Sequence, residues 1–239
     1  MSPTDLIKDN VPDIRFLYDL RDVLCDSSWL KDVHNWEAYY MYRGLAKDDE
    51  DRLIMKASNL RYDITIVPFQ MLNKEFPKTY GHEHTVVAND LSFSELYEVL
   101  EGEVYYLLQK RNNDEIEDVY AIKAKKGDKI LIPPNYGHFM INAYGKEIIT
   151  ANWSPNLKSD YAPIKERQGA CYYAIKSDKE NVKWLENPKY SKVPELKIYN
   201  ANDFNWLLEK FGIDLNEDMY NLVGNLGKLD FLKNPQKYE

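Results

Sequence analysis

The sequence predicts a mainly β protein, a sandwich or barrel with helical pieces at both ends. Three observations carry that reading. Between Tyr62 and Trp153, β-branched and apolar runs arrive about every ten residues, with turn signals between them and no helical period. Aromatic residues make up 13% of the chain, with 19 Tyr, and such rings pack well on pleated surfaces. Outside that block, on both sides, the apolar spacing becomes helical.

In chain order, Ile14, Leu17, Leu20 and Leu24 follow Pro12 and Asp13 at helical spacing, which predicts a short amphipathic helix. The run EAYYMYRGL, Glu37 to Leu45, is dense in aromatics and reads as a strand. KDDEDR, Lys47 to Arg52, reads as a solvated charged turn, and its carboxylates lack the alternating spacing of a calcium loop. YDITIV has strand composition up to Pro68. ELYEVLEGEVYYLLQKR gives two strands broken at Glu101-Gly102, GDKILIPPNYGHFMIN gives a strand, a Pro-Pro turn and another strand, and EIITANW adds one more. After Asn187-Pro188 the character shifts. NDFNWLLEKFG places Asn202 at an N-cap, Phe204, Leu207, Leu208 and Phe211 on one face, and Gly212 at C′. The expected division is an extension over residues 1–60 packing on the barrel, a barrel over 61–190 and a helical tail over 191–239.

A chain of 239 residues suits one domain with elaborations. The net charge of −8 repels a polyphosphate backbone, which argues against nucleic acid. Cys25 and Cys171 are far apart and neither has a CxxC partner, so neither a disulfide framework nor a thiolate zinc site is expected. The N-terminus lacks a basic segment followed by an apolar run, and no long apolar stretch occurs, so the expectation is a cytoplasmic protein that neither enters nor spans a membrane.

Three of the four histidines, His82, His84 and His138, fall in the strand-rich block. In His82-Glu83-His84 an extended backbone turns both imidazoles to one face, where they can meet one metal ion, and turns Glu83 to the other. Glu95 opens a strand that Gly102 closes. Gly127, Pro133-Pro134, His138 and Asn142 follow. Together the two blocks resemble the paired motifs of the cupin superfamily, small double-stranded β-helix (jelly-roll) barrels that hold one metal ion with three His and one Glu. Within it, Thr79-Tyr80-Gly81-His82-Glu83-His84 resembles the T-x-G-H-x-H signature of the cupin-type glucose-6-phosphate isomerases, and Glu95-Leu96-Tyr97 resembles their E-x-Y. Thr65 stands before Thr79 as that family's other phosphate-contacting Thr does. The resemblance runs loosely from about Arg15 to Asn187-Pro188 and leaves the tail outside.

The resemblance implies a metal set of His82, His84, Glu95 and His138 with one divalent transition metal per chain: iron first, with manganese, nickel, cobalt or zinc as alternatives. It implies substrate contacts at Thr65, Thr79 and Gly81, for which a merely structural place is the alternative, and a homodimer paired through its sheets, with EAYYMYRGL as the contact. Three imidazoles and a carboxylate on a divalent ion leave a net charge of +1 and, in octahedral geometry, two open positions for adjacent sugar oxygens. Glu95 is then the expected general base and Tyr97 a donor to substrate, with core packing as the alternative for Tyr97. The implied activity is interconversion of glucose 6-phosphate and fructose 6-phosphate, in glycolysis and gluconeogenesis, through a cis-enediolate or a hydride shift. A mannose-6-phosphate isomerase or other sugar-phosphate isomerase, and a non-catalytic sugar-binding cupin, are the alternatives. Three features depart from the family pattern. The His84–Glu95 stretch is longer, Trp153-Ser154-Pro155 replaces a frequent Tyr-Pro, and Tyr80 stands where Lys is common. Glu98, on the face opposite Glu95, is expected in solvent. Asn142 is expected to fix a turn and His34 to be structural.

Overall fold

Period-two alternation sets two long sheets against each other, with the polar rows of one turned toward the space between them. The computed structural model describes residues 3–156, 158–177 and 182–238. Its strands begin with β1 (Asp13–Phe16), β2 (Glu37–Tyr42), β3 (Leu60–Val67), β4 (Glu83–His84), β5 (Val86–Ala88), β6 (Leu91–Ser92), β7 (Glu95–Glu101) and β8 (Glu103–Asn112). They continue with β9 (Glu115–Lys125), β10 (Lys129–Ile132), β11 (Tyr136–Ile141), β12 (Ile148–Pro155), β13 (Ser159–Asp160), β14 (Tyr172–Lys176), β15 (Val182–Glu186) and β16 (Lys197–Asn200). The α-helices are α1 (Asp49–Ala57), α2 (Ala162–Glu166) and α3 (Asn205–Lys210). No helix among the described residues is long and apolar enough to cross a membrane.

One sheet runs β1-β2-β3-β12-β7-β10 and the other β11-β8-β9-β16. Every pairing in them is antiparallel except β16 with β9. The expected mainly β cupin architecture, with helical pieces at its ends, is what the chain adopts. Tyr97 and Val99 of the larger sheet meet Tyr106, Leu108 and Phe139 of the smaller one in a shared core. The outer face of the larger sheet forms a second core. There Tyr62, Ile64, Leu96 and Trp153 pack against Leu208, Met219, Leu229 and Phe231 from the C-terminal segment.

Several sequence expectations change. The segment from Pro12 to Leu24 is not one helix: β1 pairs with β2, Arg15 opposite Tyr39, and a 3₁₀ helix over Leu17–Val23 follows. Leu17, Leu20 and Val23 are buried at a spacing of three, which suits three residues per turn as well as an α-helix would. KDDEDR is not a loop but enters α1, where Asp48 accepts a hydrogen bond from Asp51 N–H at 2.9 Å and three acidic residues sit in the first turn. In the tail, Asn200 rather than Asn202 begins the helical stretch, a 3₁₀ turn that passes into α3, and Gly212 ends it at φ +69°. EAYYMYRGL has no free edge, since β1 and β3 occupy both sides of β2; β1 carries the outer edge.

Glu98 is buried, not solvated. It lies 3.3 Å from Lys129 Nζ and accepts from Met219 N–H at 2.8 Å, while the Trp153 indole donates to Met219 O at 2.9 Å. Trp153 and Glu98, both on the outer face, thus grip the backbone of one tail residue. His34 packs edge-on to Trp36 at 5.9 Å, and both cysteines are free. The long His84–Glu95 connection folds as the β5–β6 hairpin. Asn89 and Asp90, both at positive φ, make its turn, and Asn135 ties it down through Ser92 N–H at 2.8 Å.

Candidate metal centre

Backbone hydrogen bonds bring the two histidine segments together. His138 N–H donates to His82 O at 3.1 Å and His82 N–H to His138 O at 3.4 Å. β4 begins at the next residue and pairs with β13, His84 opposite Ser159. Alternation turns His82 and His84 to one side, and Glu83 faces away into a two-point ion pair with Arg111 at 2.7 and 3.0 Å. Gly81 permits this approach: its φ is +77°, and a Cβ there would lie 2.0 Å from the Phe139 ring.

Glu95 enters from the opposite sheet at the start of β7. Its Oε2 lies 3.1 Å from His138 Nε2, 3.2 Å from His84 Nε2 and 4.0 Å from His82 Nε2. The ligand atoms of all four side chains fall within 4.8 Å of one another. Asn152, next to β7 on β12, donates from Nδ2 to Glu95 Oε1 at 2.6 Å. His84 Nδ1 lies 2.9 Å from Phe93 O. A carbonyl only accepts, so Nδ1 carries a proton there, and Nε2 is the nitrogen that faces the cluster.

Burial, then the charges of His138 and His84, hold His82 well below the usual imidazole range. Burial also lowers His138, with Glu95 pulling the other way. At His84 burial again opposes the charge, but the hydrogen bond and charge of Glu95 outweigh it and raise the group. Burial favours protonation of Glu95, yet hydrogen bonds from His138 and His84 hold its carboxyl well below the usual range. Tyr97 Oη, 3.3 Å from His138 Nε2, is raised well above its ordinary value by burial and by the Glu95 charge, so it keeps its proton at neutral pH. Mostly neutral imidazoles around one carboxylate form a donor set that fits a divalent ion.

The cluster lies on the floor of a pocket of about 770 Å³, counting its open mouth, within the range of small-molecule sites. Thr65, Thr79, Gly81 and Tyr97 line the same pocket. Thr79 Oγ1 accepts from Met140 N–H at 3.1 Å, which leaves its own proton to donate. Asn142 takes the structural place expected of it, donating to Val67 O and Lys146 O at 2.9 and 2.7 Å. Tyr80 does not reach the pocket; it packs edge-on to Tyr161 at 5.5 Å, under the Arg15 guanidinium.

Sequence reasoning missed Asn152 and a charged group at the pocket wall, Arg43, Arg61 and Asp63; Ser154, singled out in the sequence as a departure from the family pattern, stands beside them. Asp63, 3% exposed, lies 2.9 Å from Arg61 Nε and 3.4 Å from Arg43 Nη1, and accepts from Gly44 N–H at 2.8 Å. The available signal was alternation. Arg61 and Asp63 share the inward face of β3 with Thr65, as Asn152 and Ser154 share that of β12 with Thr150.

No curated protein matches the sequence. Among solved structures, recombinant oxalate oxidase in complex with glycolate is 12% identical over 82% of this chain and 71% of that one, at a TM-score of 0.41. The oxalate decarboxylase of Lactobacillus farciminis, as a formate complex, is 15% identical over 55% of this chain, at 0.38. Peruvianin-I, a cysteine peptidase from Thevetia peruviana latex, is 18% identical over 43% of this chain, at 0.34. The chain spans 33% of the decarboxylase and 55% of Peruvianin-I. A family model described as glucose-6-phosphate isomerase (GPI) matches residues 14–194, from β1 to beyond β15. With most of the chain inside that match, the protein belongs to the glucose-6-phosphate isomerase family, in its cupin form.

Proposed function

We propose that the protein interconverts glucose 6-phosphate and fructose 6-phosphate, with one divalent transition metal held by His82, His84, Glu95 and His138. The observation that carries this is a single buried carboxylate among three converging imidazole nitrogens, on the floor of an open pocket, in a chain of that family. Iron suits the mixed nitrogen and oxygen set, as do manganese, nickel, cobalt and zinc. The ion supplies Lewis acidity toward two neighbouring sugar oxygens.

The protein's own groups do the rest. Among the described residues two carboxylates face the pocket; Asp63 lies with Arg61 and Arg43 on the wall and Glu95 lies in the histidine cluster, so Glu95 is the one placed beside the reacting carbons and is assigned the proton. Glu95 takes a proton from the hydroxyl-bearing carbon beside the carbonyl and returns it to the former carbonyl carbon, the hydroxyl proton passing from one oxygen to the other, while Asn152 fixes Oε1. The electron pair stays within the substrate, so no external oxidant is needed. The protonated Tyr97 hydroxyl donates to substrate oxygen. Thr65 and Thr79 offer hydroxyls, and Gly81 a close backbone, to the distal part of the sugar phosphate.

The test is a coupled assay of metal-reconstituted protein with fructose 6-phosphate, reading glucose 6-phosphate and mannose 6-phosphate separately. Glucose 6-phosphate is the expected product, and no turnover, or mannose 6-phosphate alone, overturns the assignment. Glu95→Gln should lower kcat by at least ~10²-fold, the scale of a lost acid–base group. Normal turnover in that variant with unchanged metal would replace the proton shuttle with a hydride shift.

A further inference from the structure

The turn between β10 and β11 holds more than its own stretch of chain. Asn135 stands there at φ +67°, a conformation that asparagine adopts more readily than most residues. From it three hydrogen bonds reach the β5–β6 hairpin. Asn135 Oδ1 accepts from Ser92 N–H at 2.8 Å, Asn135 N–H donates to Ser92 Oγ at 2.7 Å, and Asn135 Nδ2 donates to Asp90 O at 2.9 Å. Ser92 is buried, so the first two are sheltered from water. Among the described residues β5 and β6 pair only with each other, and Val86, Val87 and Ala88 of β5 are exposed. Asn135 is therefore the polar tie between this hairpin and the barrel.

The tie ends at the candidate metal centre. Phe93 follows Ser92, and its carbonyl accepts from two sides, from Ser92 Oγ at 3.3 Å and from His84 Nδ1 at 2.9 Å. One run of hydrogen bonds thus leads from Asn135 N–H through Ser92 Oγ and Phe93 O to His84, whose Nε2 lies 3.2 Å from Glu95 Oε2. An imidazole turns about its side-chain bonds unless its far nitrogen is held, so the place of Phe93 O decides where Nε2 is aimed. The Phe93 ring also lines the pocket, so the same tie fixes an apolar wall beside the cluster. The connection that carries Phe93 is longer than the family pattern, and a longer loop loses more entropy when it is held in one place. Without a latch, the extra length would let Phe93 O wander from His84.

We propose that Asn135 is a positioning residue for the metal centre: it latches the β5–β6 hairpin so that Phe93 O holds His84 Nδ1 and Nε2 faces the ion. The proposal rests on the reading of His82, His84, Glu95 and His138 as a metal set. It gives the enlarged hairpin a part in holding the ion, although no residue of β5 or β6 belongs to the cluster.

The experiment uses full-length protein and cobalt(II) alone as probe. Competition against a chelator gives its Kd, the visible cobalt spectrum reports the ligand arrangement, and amide hydrogen exchange reports the hairpin. Asn135→Gly accepts the positive φ without strain and keeps the backbone donor to Ser92 Oγ, but loses both side-chain bonds. Its cobalt Kd should rise about 3–30-fold, less than for a group that touches a ligand directly, with an altered spectrum and faster exchange over Val86–Ser92. Asn135→Asp keeps the acceptor for Ser92 N–H and loses the donor to Asp90 O, so it should fall between Asn135→Gly and wild type. Ser92→Ala cuts the run to Phe93 O while both Asn135 side-chain bonds remain, and should raise Kd about 2–10-fold. A merely structural latch would lower the melting temperature and leave the cobalt spectrum of the folded variants unchanged. Wild-type protein that binds cobalt, with folded Asn135→Gly and Ser92→Ala variants that keep its Kd within twofold and its spectrum, overturns the latch and leaves the metal set. Cobalt binding that weakens in Asn135→Gly, in a protein that does not isomerise fructose 6-phosphate, overturns the activity and leaves the latch. Wild-type protein that binds no cobalt overturns both the metal set and the latch.

Discussion

Asn152→Leu removes one hydrogen bond and little else. Leucine has nearly the shape of asparagine, the site is 4% exposed, and the lost donor is the 2.6 Å contact to Glu95 Oε1. A hydrogen bond to a charged acceptor contributes about 1.5–3 kcal/mol, and roughly 10–150-fold in an equilibrium constant follows from it. Without the amide, Oε1 is left buried and unpaired, and the carboxylate no longer holds Oε2 toward the three Nε2 atoms. Outer groups that orient ligands typically contribute 10–100-fold in metal affinity, which agrees. The assay is competition for the metal against a chromophoric chelator, on protein shown to be folded by its near-ultraviolet signal. The metal Kd should rise about 10–100-fold. A change below threefold in the folded variant would show that Asn152 does not position Glu95.

Elemental analysis should find about one divalent metal per chain, lost in the His84→Ala, His138→Ala double variant and in acid, where protons compete for the imidazoles. Gly81→Ala should cost about 2–5 kcal/mol, from the left-handed φ and the overlap with Phe139, and lower the melting temperature by roughly 5–20 °C; a shift below 2 °C would refute it. Light scattering should give twice 28.2 kDa if the expected homodimer forms, and the monomer mass would refute it.

β3, β7, β8, β10, β11 and β12 were legible because each carries β-branched residues near a Gly or Pro, whereas β9, entered through Asn112-Asn113-Asp114, was not read; the candidate metal cluster was legible because its four residues fall in short motifs. β1 was hidden because Leu17, Leu20 and Val23 satisfy helical and 3₁₀ spacing alike, and only pairing with β2 decides for Asp13–Phe16. α1 had a cap signal in Asp48, masked by a run of charge that reads as loop. Glu98 illustrates a different limit: alternation correctly separated it from Glu95, but the partner that buries it, Met219, lies 121 positions away. Asn152, Arg61 and Ser154 belong to rows that run across strands, and a row exists only once register is fixed.

The grip of Glu98 and the Trp153 indole on Met219 has a thermodynamic side. Trp153 adjoins Asn152 in sequence, and Leu96 adjoins Glu95. Each pair shares one short stretch of backbone, with one member in the ion cluster and the other in the outer core that the tail completes. The tail therefore packs on the outer face of the same strands whose inner face carries Glu95 and Asn152. Linkage requires that any effect of metal binding on the docking of the tail equals the effect of docking on metal affinity. Metal affinity and tail protection are thus two readings of one quantity at this pair of strands.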